Sequence, residues 1–262
     1  MQFVDSGDGH LHVAWHPGCG RPVLFLNVLG MDLRIWDPVL AHLPGAPTLR
    51  HDARGHGLSA PAPAPGMSPY VADALALIDH FGLERPVVCG ASAGGLVALG
   101  VAGARPDRIG GLVLCNTAAK IGTAESWNAR IASVAAGGIE AIADTAIGNW
   151  FSDGFRSGRP ADLAGWRTML TRCPVEGYLG LCAAIRDTDF TRLARDLSLP
   201  VEVIGGSVDG STPPVVVEAL AGLIPGARLT MIEGVGHLPG IERPDAVAAV
   251  IERMRSGLDS AA

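Results

Sequence analysis

Through its first 116 residues the chain alternates short apolar runs with longer stretches whose apolar positions recur every three or four residues. HLHVAWH (10 to 16) and PVLFLN (22 to 27) read as strands, DLRIWDPVLAHL (32 to 43) has helical spacing, and TLRHD (48 to 52) is a short run ending at a turn. The spacing predicts a helix over SPYVADALALIDHFG (68 to 82) stopped by Gly82, a buried strand at PVVCG (86 to 90), a helix at LVALGVAGA (96 to 104) and a strand at IGGLVLCN (109 to 116). Strand and helix taking turns imply a mostly parallel sheet with helices on both faces, an α/β fold. The rhythm stops at Thr117: to Leu197 the patterns are helical, carry Trp127, Trp150 and Trp166, and show no clear strand. From Pro200 it resumes with PVEVIG, PPVVVEALAGLI, ARLTMIEG and PDAVAAVIERM. The expected organisation is one α/β core from residues 1–116 and 198–262, with 117–197 inserted as an α-helical cap. The proline-rich PAPAPG (61 to 66) is read as a stiff loop.

Composition narrows the functional classes. Hydrophobic residues make up 48% and charged residues 18%, so a chain of 262 residues can bury a large core and nothing reads as extended disorder. The net charge is −6 with no block of Lys or Arg, so the long-range field repels phosphate backbones and nucleic acid is not an expected partner. The start, MQFVDSGDGHLHVAW, has neither a basic nor an apolar leader region, and no apolar stretch approaches a membrane span; a cytoplasmic protein without a membrane partner is expected. Cys19, Cys89, Cys115, Cys173 and Cys182 form no C-x-x-C pair, and an odd, scattered set is not a disulfide framework.

Against that background one stretch stands out. Gly90-Ala91-Ser92-Ala93-Gly94 fits G-x-S-x-G and sits between an expected strand and an expected helix, the context of a nucleophile elbow. Such a turn holds its serine in a sparsely populated backbone conformation, and only small neighbours escape collision with the adjoining strand and helix. A serine hydroxyl needs a base to become a nucleophile, and the base needs an acceptor to fix its tautomer. His237, in IEGVGHLPGIERPD, and Asp209, in VEVIGGSVDGSTPP, both follow late strands in loops that leave the same edge of the expected sheet as Ser92, where ligands bind open α/β sheets. The end of the strand before the insertion could also carry the acid, but Asn116 stands there and takes no charge, while Asp187 and Asp189 fall in the insertion.

His10, His12 and His16 share one parity and read as a solvent-facing stripe rather than metal ligands; His51 and His56 read as structural or near the site. No metal and no organic cofactor is expected. For the oxyanion of an acyl-transfer intermediate the expected donors are the backbone N–H of Ala93 and, from the loop after PVLFLN, that of Leu29.

The residues that carry this chemistry also carry a resemblance. HDARGHGLS (51 to 59), GASAGG (90 to 95), LCNTAAKIG (114 to 122) and HLPGIERPD (237 to 245) resemble the α/β-hydrolase family, in which nucleophile, acid and base occur in the order Ser, Asp, His. The third stretch, followed by Trp127, looks like 3-oxoadipate enol-lactonases. The resemblance implies Ser92 as nucleophile, Asp209 as acid and His237 as base, acting on a small lactone or ester that carries a carboxylate. Two departures stand out: Asn27-Val28 where many relatives have His-Gly, and Ser92-Ala93-Gly94 where enol-lactonases commonly have Ser-Met-Gly. Lys120, Arg130 and Arg34 are the candidate cations for the substrate carboxylate, and Trp127 and Arg130, three apart, share one helical face. The same elbow would serve a carboxylesterase, a C–C bond hydrolase or a cofactor-free perhydrolase, and the fold can also act as a ligand receptor without hydrolysis.

Overall fold

A computed structural model describes residues 1–61 and 66–260. Most of the PAPAPG loop lies outside the described residues. Among the described residues there are eight strands, β1 (Gln2–Asp5), β2 (His10–His16), β3 (Val23–Leu26), β4 (Thr48–His51), β5 (Val87–Ala91), β6 (Gly111–Cys115), β7 (Val201–Gly206) and β8 (Arg228–Ile232). They form one sheet in the order β1-β2-β4-β3-β5-β6-β7-β8. Only the β1/β2 and β2/β4 pairings are antiparallel; from β4 through β3 to β8 every neighbour is parallel. β5, β6 and β7 are buried at every position, which is why they read as unbroken apolar runs, whereas β2 alternates. The Ala93–Ala104 helix packs on β3, β5 and β6, and the Pro244–Asp259 helix packs on β5, β6 and β7. Parallel strands with helical crossovers send all their carboxyl ends to one rim, and every group of the expected site follows one of those ends.

Two elements differ from the sequence reading. The stretch 32–43 is no continuous helix: Asp32 accepts a hydrogen bond from the Arg34 amide and opens a 3₁₀ turn at Leu33–Trp36, and only Asp37–Leu40 is α-helical. Pro38, which has no N–H to donate, stands at its start. β1 was not expected, because only Val4 of its four residues is buried; pairing with β2 across a tight turn closed by Ser6 N–H to Gly9 O (3.0 Å) makes it a strand.

Between β6 and β7 the described chain forms six helices and no strand, from Ala124–Gly137 to Thr191–Arg195. One contact seats this segment on the loop after β4: a Cβ on Gly177 would fall 1.9 Å from Gly55 O, so two backbones meet where no side chain fits. The histidine stripe also needs correction. His10 and His16 are exposed, but the His12 side chain is only 15% exposed and its Nδ1 lies 2.8 Å from Asp52 Oδ2. Among the described residues no group of three or more His, Cys, Asp or Glu is arranged to hold a metal ion, and no helix is long and apolar enough to cross a membrane.

Candidate active site

The turn at Ser92 is built by exclusion. A Cβ on Gly90 would lie 2.2 Å from Gly94 O, one on Gly94 would lie 2.3 Å from Leu26 O, and one on Gly95 would meet the Thr117 side chain at 2.5 Å. With side chains removed at those points, β5 can turn directly into the Ala93–Ala104 helix, leaving Ser92 between them at φ 52°, ψ −114°. A non-glycine residue there costs on the order of 1–3 kcal/mol, and the surroundings must over-determine it. They do: Ser92 N–H donates to Cys115 O (2.9 Å), and Ser92 O accepts from Gly95 N–H (2.9 Å) and Thr117 Oγ1 (2.7 Å).

Asp209 and His237 come together from the loops after β7 and β8. His237 Nδ1 lies 2.8 Å from Asp209 Oδ2, both side chains being buried, and the His237 amide donates to Trp150 O (2.8 Å) while the Trp150 ring stacks on the imidazole. Asn116 Nδ2 (2.6 Å) and Thr212 Oγ1 (2.6 Å) also donate to Asp209 Oδ2, and the Ser211 and Thr212 amides donate to Oδ1. Burial alone would raise the Asp209 pKa, but the electrostatic interaction with His237 and the hydrogen bonds from His237, Asn116 and Thr212 outweigh it and hold the carboxyl below its usual range. With Nδ1 engaged, Nε2 is the nitrogen left to accept a proton. Ser92 and His237 line one cavity, although no hydrogen bond joins Ser92 Oγ to the ring among the described contacts.

That cavity, of about 270 Å³, lies between the strand ends and the helical segment. Leu29 lines it, and neither the Leu29 nor the Ala93 N–H has an acceptor among the described hydrogen bonds. Trp127 and Arg130 line it too: the guanidinium sits 5.5 Å from the indole centroid, the indole N–H donates to Ile121 O (2.6 Å), and Arg130 has no acidic partner among the described residues. The other two candidate cations do not reach this cavity. Lys120 is exposed and pairs with Asp189 at 3.3 Å, and Arg34 pairs with Asp32 beside a different cavity.

The family model for the alpha/beta hydrolase family matches residues 17–250. The chain belongs to this family. Among its relatives, the alpha/beta hydrolase is 32% identical over 252 residues to 3-oxoadipate enol-lactonase 2 of Acinetobacter baylyi, covering 95% of this chain and 94% of that one. It is also 31% identical to a non-heme haloperoxidase of Rhodococcus erythropolis, covering 90% and 93%. The crystal structure of an enol-lactonase from Burkholderia xenovorans superposes with a TM-score of 0.93 at 32% identity, covering 97% of this chain and all of the other.

Three residues of the candidate site carry no clear signal in the sequence. From the sequence Asn116 reads only as a residue that takes no charge, yet its side-chain amide, on a residue at φ 44° just past β6, donates to Asp209 in the loop after β7. Thr212, three residues after Asp209, had a signal in the turn spacing Asp-Gly-Ser-Thr. Trp150 had none, because its stacking on His237 is set by how the helices pack over the sheet.

Proposed function

We propose that this alpha/beta hydrolase is a serine carboxylic ester hydrolase that opens 3-oxoadipate enol-lactone to 3-oxoadipate. The observation that carries the reading is the meeting, around one cavity, of a serine on a strained turn, an imidazole bound to a buried carboxylate, and a cation without an acidic partner among the described residues. Ser92 Oγ attacks the lactone carbonyl as His237 Nε2 takes its proton, and the Leu29 and Ala93 amides receive the oxyanion. Asp209 stabilises the imidazolium. Collapse breaks the ring C–O bond; the proton on His237 goes to the departing enol oxygen, which is a better leaving group than an alkoxide, and the enol then becomes a ketone. Water, deprotonated by His237, attacks the acyl-enzyme and returns Ser92 to its hydroxyl form. Arg130, backed by the Trp127 ring, holds the carboxylate, which the net charge of −6 would otherwise repel. The helices of 117–197 act as the cap, since they supply Trp127, Arg130 and Trp150 to the cavity.

The resemblance to enol-lactonases supports the substrate, and the test is direct competition of substrates. Enol-lactone turnover, followed by loss of ultraviolet absorbance, should exceed that of a short-chain nitrophenyl ester by a wide margin in kcat/KM. Equal values would move the assignment to a general esterase.

A further inference from the structure

A second cavity, of about 510 Å³, shares no lining residue with the first, yet the two stand back to back across one loop: Val28 and Leu29 face the first, Gly30 and Met31 the second. Its volume is within the range of small-molecule sites. The hydrogen-bonding capacity of its wall is lopsided. Asp32 Oδ1 accepts from Arg34 N (3.0 Å) and Nε (2.9 Å), and its Oδ2 accepts from Arg34 Nη2 (2.5 Å). Asp52 Oδ1 accepts from the Leu33 amide (2.8 Å), and its Oδ2 takes the Leu58 amide and His12 Nδ1, each at 2.8 Å. Each carboxylate of the wall thus already accepts three hydrogen bonds from protein donors.

The donors are not spent. Arg34 keeps Nη1, and the Arg172 guanidinium has neither an acidic partner nor a hydrogen bond among the described residues. Exposure sorts the charges the same way: the Arg34 side chain is 63% exposed, against 11% for Asp32 and 2% for Asp52. The charges the wall exposes are the two arginines, so the surface offered to a ligand is donor-rich, while Met31, Leu58 and Met169 add an apolar wall. A ligand that satisfies this wall must bring acceptors of negative charge on an apolar body.

We propose that this cavity is a second binding site, for a small organic carboxylate held by Arg172 and Arg34, distinct from the hydrolytic cavity. The test keeps the two sites apart by using Arg130→Met protein and titrating adipate by calorimetry, with uncharged adipamide as control. The expected result is saturable binding of adipate, weakened about tenfold or more by adding Arg34→Gln and Arg172→Gln, and no binding of adipamide. Loss of saturable binding in the Arg130→Met protein, an affinity indifferent to the two arginines, or equal binding of adipamide would overturn the proposal. Nitrophenyl ester turnover by an Arg34→Gln, Arg172→Gln double variant with Arg130 intact confirms a folded protein. Because the titration does not depend on Ser92, its failure and a failure of the hydrolytic reading are told apart.

Discussion

Asp209 is the acceptor of five hydrogen bonds, and its behaviour follows from them. Its folded pKa is depressed, so its contribution to stability is present above the unfolded value, about 3.9, and is lost as pH falls through the lower folded value. Removing a donor should shrink that window from below: Asn116→Leu is expected to unfold at a higher pH in an acid titration followed by circular dichroism. An unchanged acid midpoint would mean that the Asn116 amide does not hold the carboxylate. Ser92, Asp209 and His237 could be proposed from the sequence because the serine stands in a G-x-S-x-G turn between strand and helix and the acid and base follow late strands in the order Ser, Asp, His. Asn116 and Thr212 could not. Their role exists only once β6 and β7 lie side by side, Cys115 opposite Ile204, which brings the two loops within hydrogen-bond reach.

At the scale of elements, the helical segment and the core meet through glycine against glycine. Gly177→Ala puts a methyl group on the Gly55 carbonyl, a backbone atom that cannot rotate away, so the Val175–Arg186 helix must lift. Overpacking of this kind costs about 1–3 kcal/mol, and the expected result is a Tm lower by several degrees. A Tm equal to wild type would show that the segment rides freely there. Helices inside 117–197 and the buried strands were readable because 3.6-residue spacing and continuous apolar runs report burial directly. β1 and the 32–43 stretch were not, since an edge strand is made by its partner and a 3₁₀ turn by a single side-chain cap and a proline.

For the molecule as a whole, pH and charge give separate handles. His51 and His56 are buried, and burial pushes both pKa values below 6.5. Below that value the unfolded chain takes protons that the folded chain refuses, so stability falls as pH drops from about 6.5. Tm measured against pH should decline in that range, and more gently in a His51→Gln, His56→Gln double variant. Charge acts locally against the global −6: Arg130→Met should raise KM for the anionic lactone about tenfold or more, and leave a neutral nitrophenyl ester nearly unchanged. Equal losses on both substrates would assign Arg130 to structure. The central claim is that one serine, strained into the open by its neighbours and served by His237, is the nucleophile. Its most direct test is labelling with a fluorophosphonate followed by mass spectrometry of the peptides. The account predicts a single adduct on Ser92, absent from Ser92→Ala and strongly slowed in His237→Ala; an adduct on another residue, or labelling undiminished in Ser92→Ala, would contradict it.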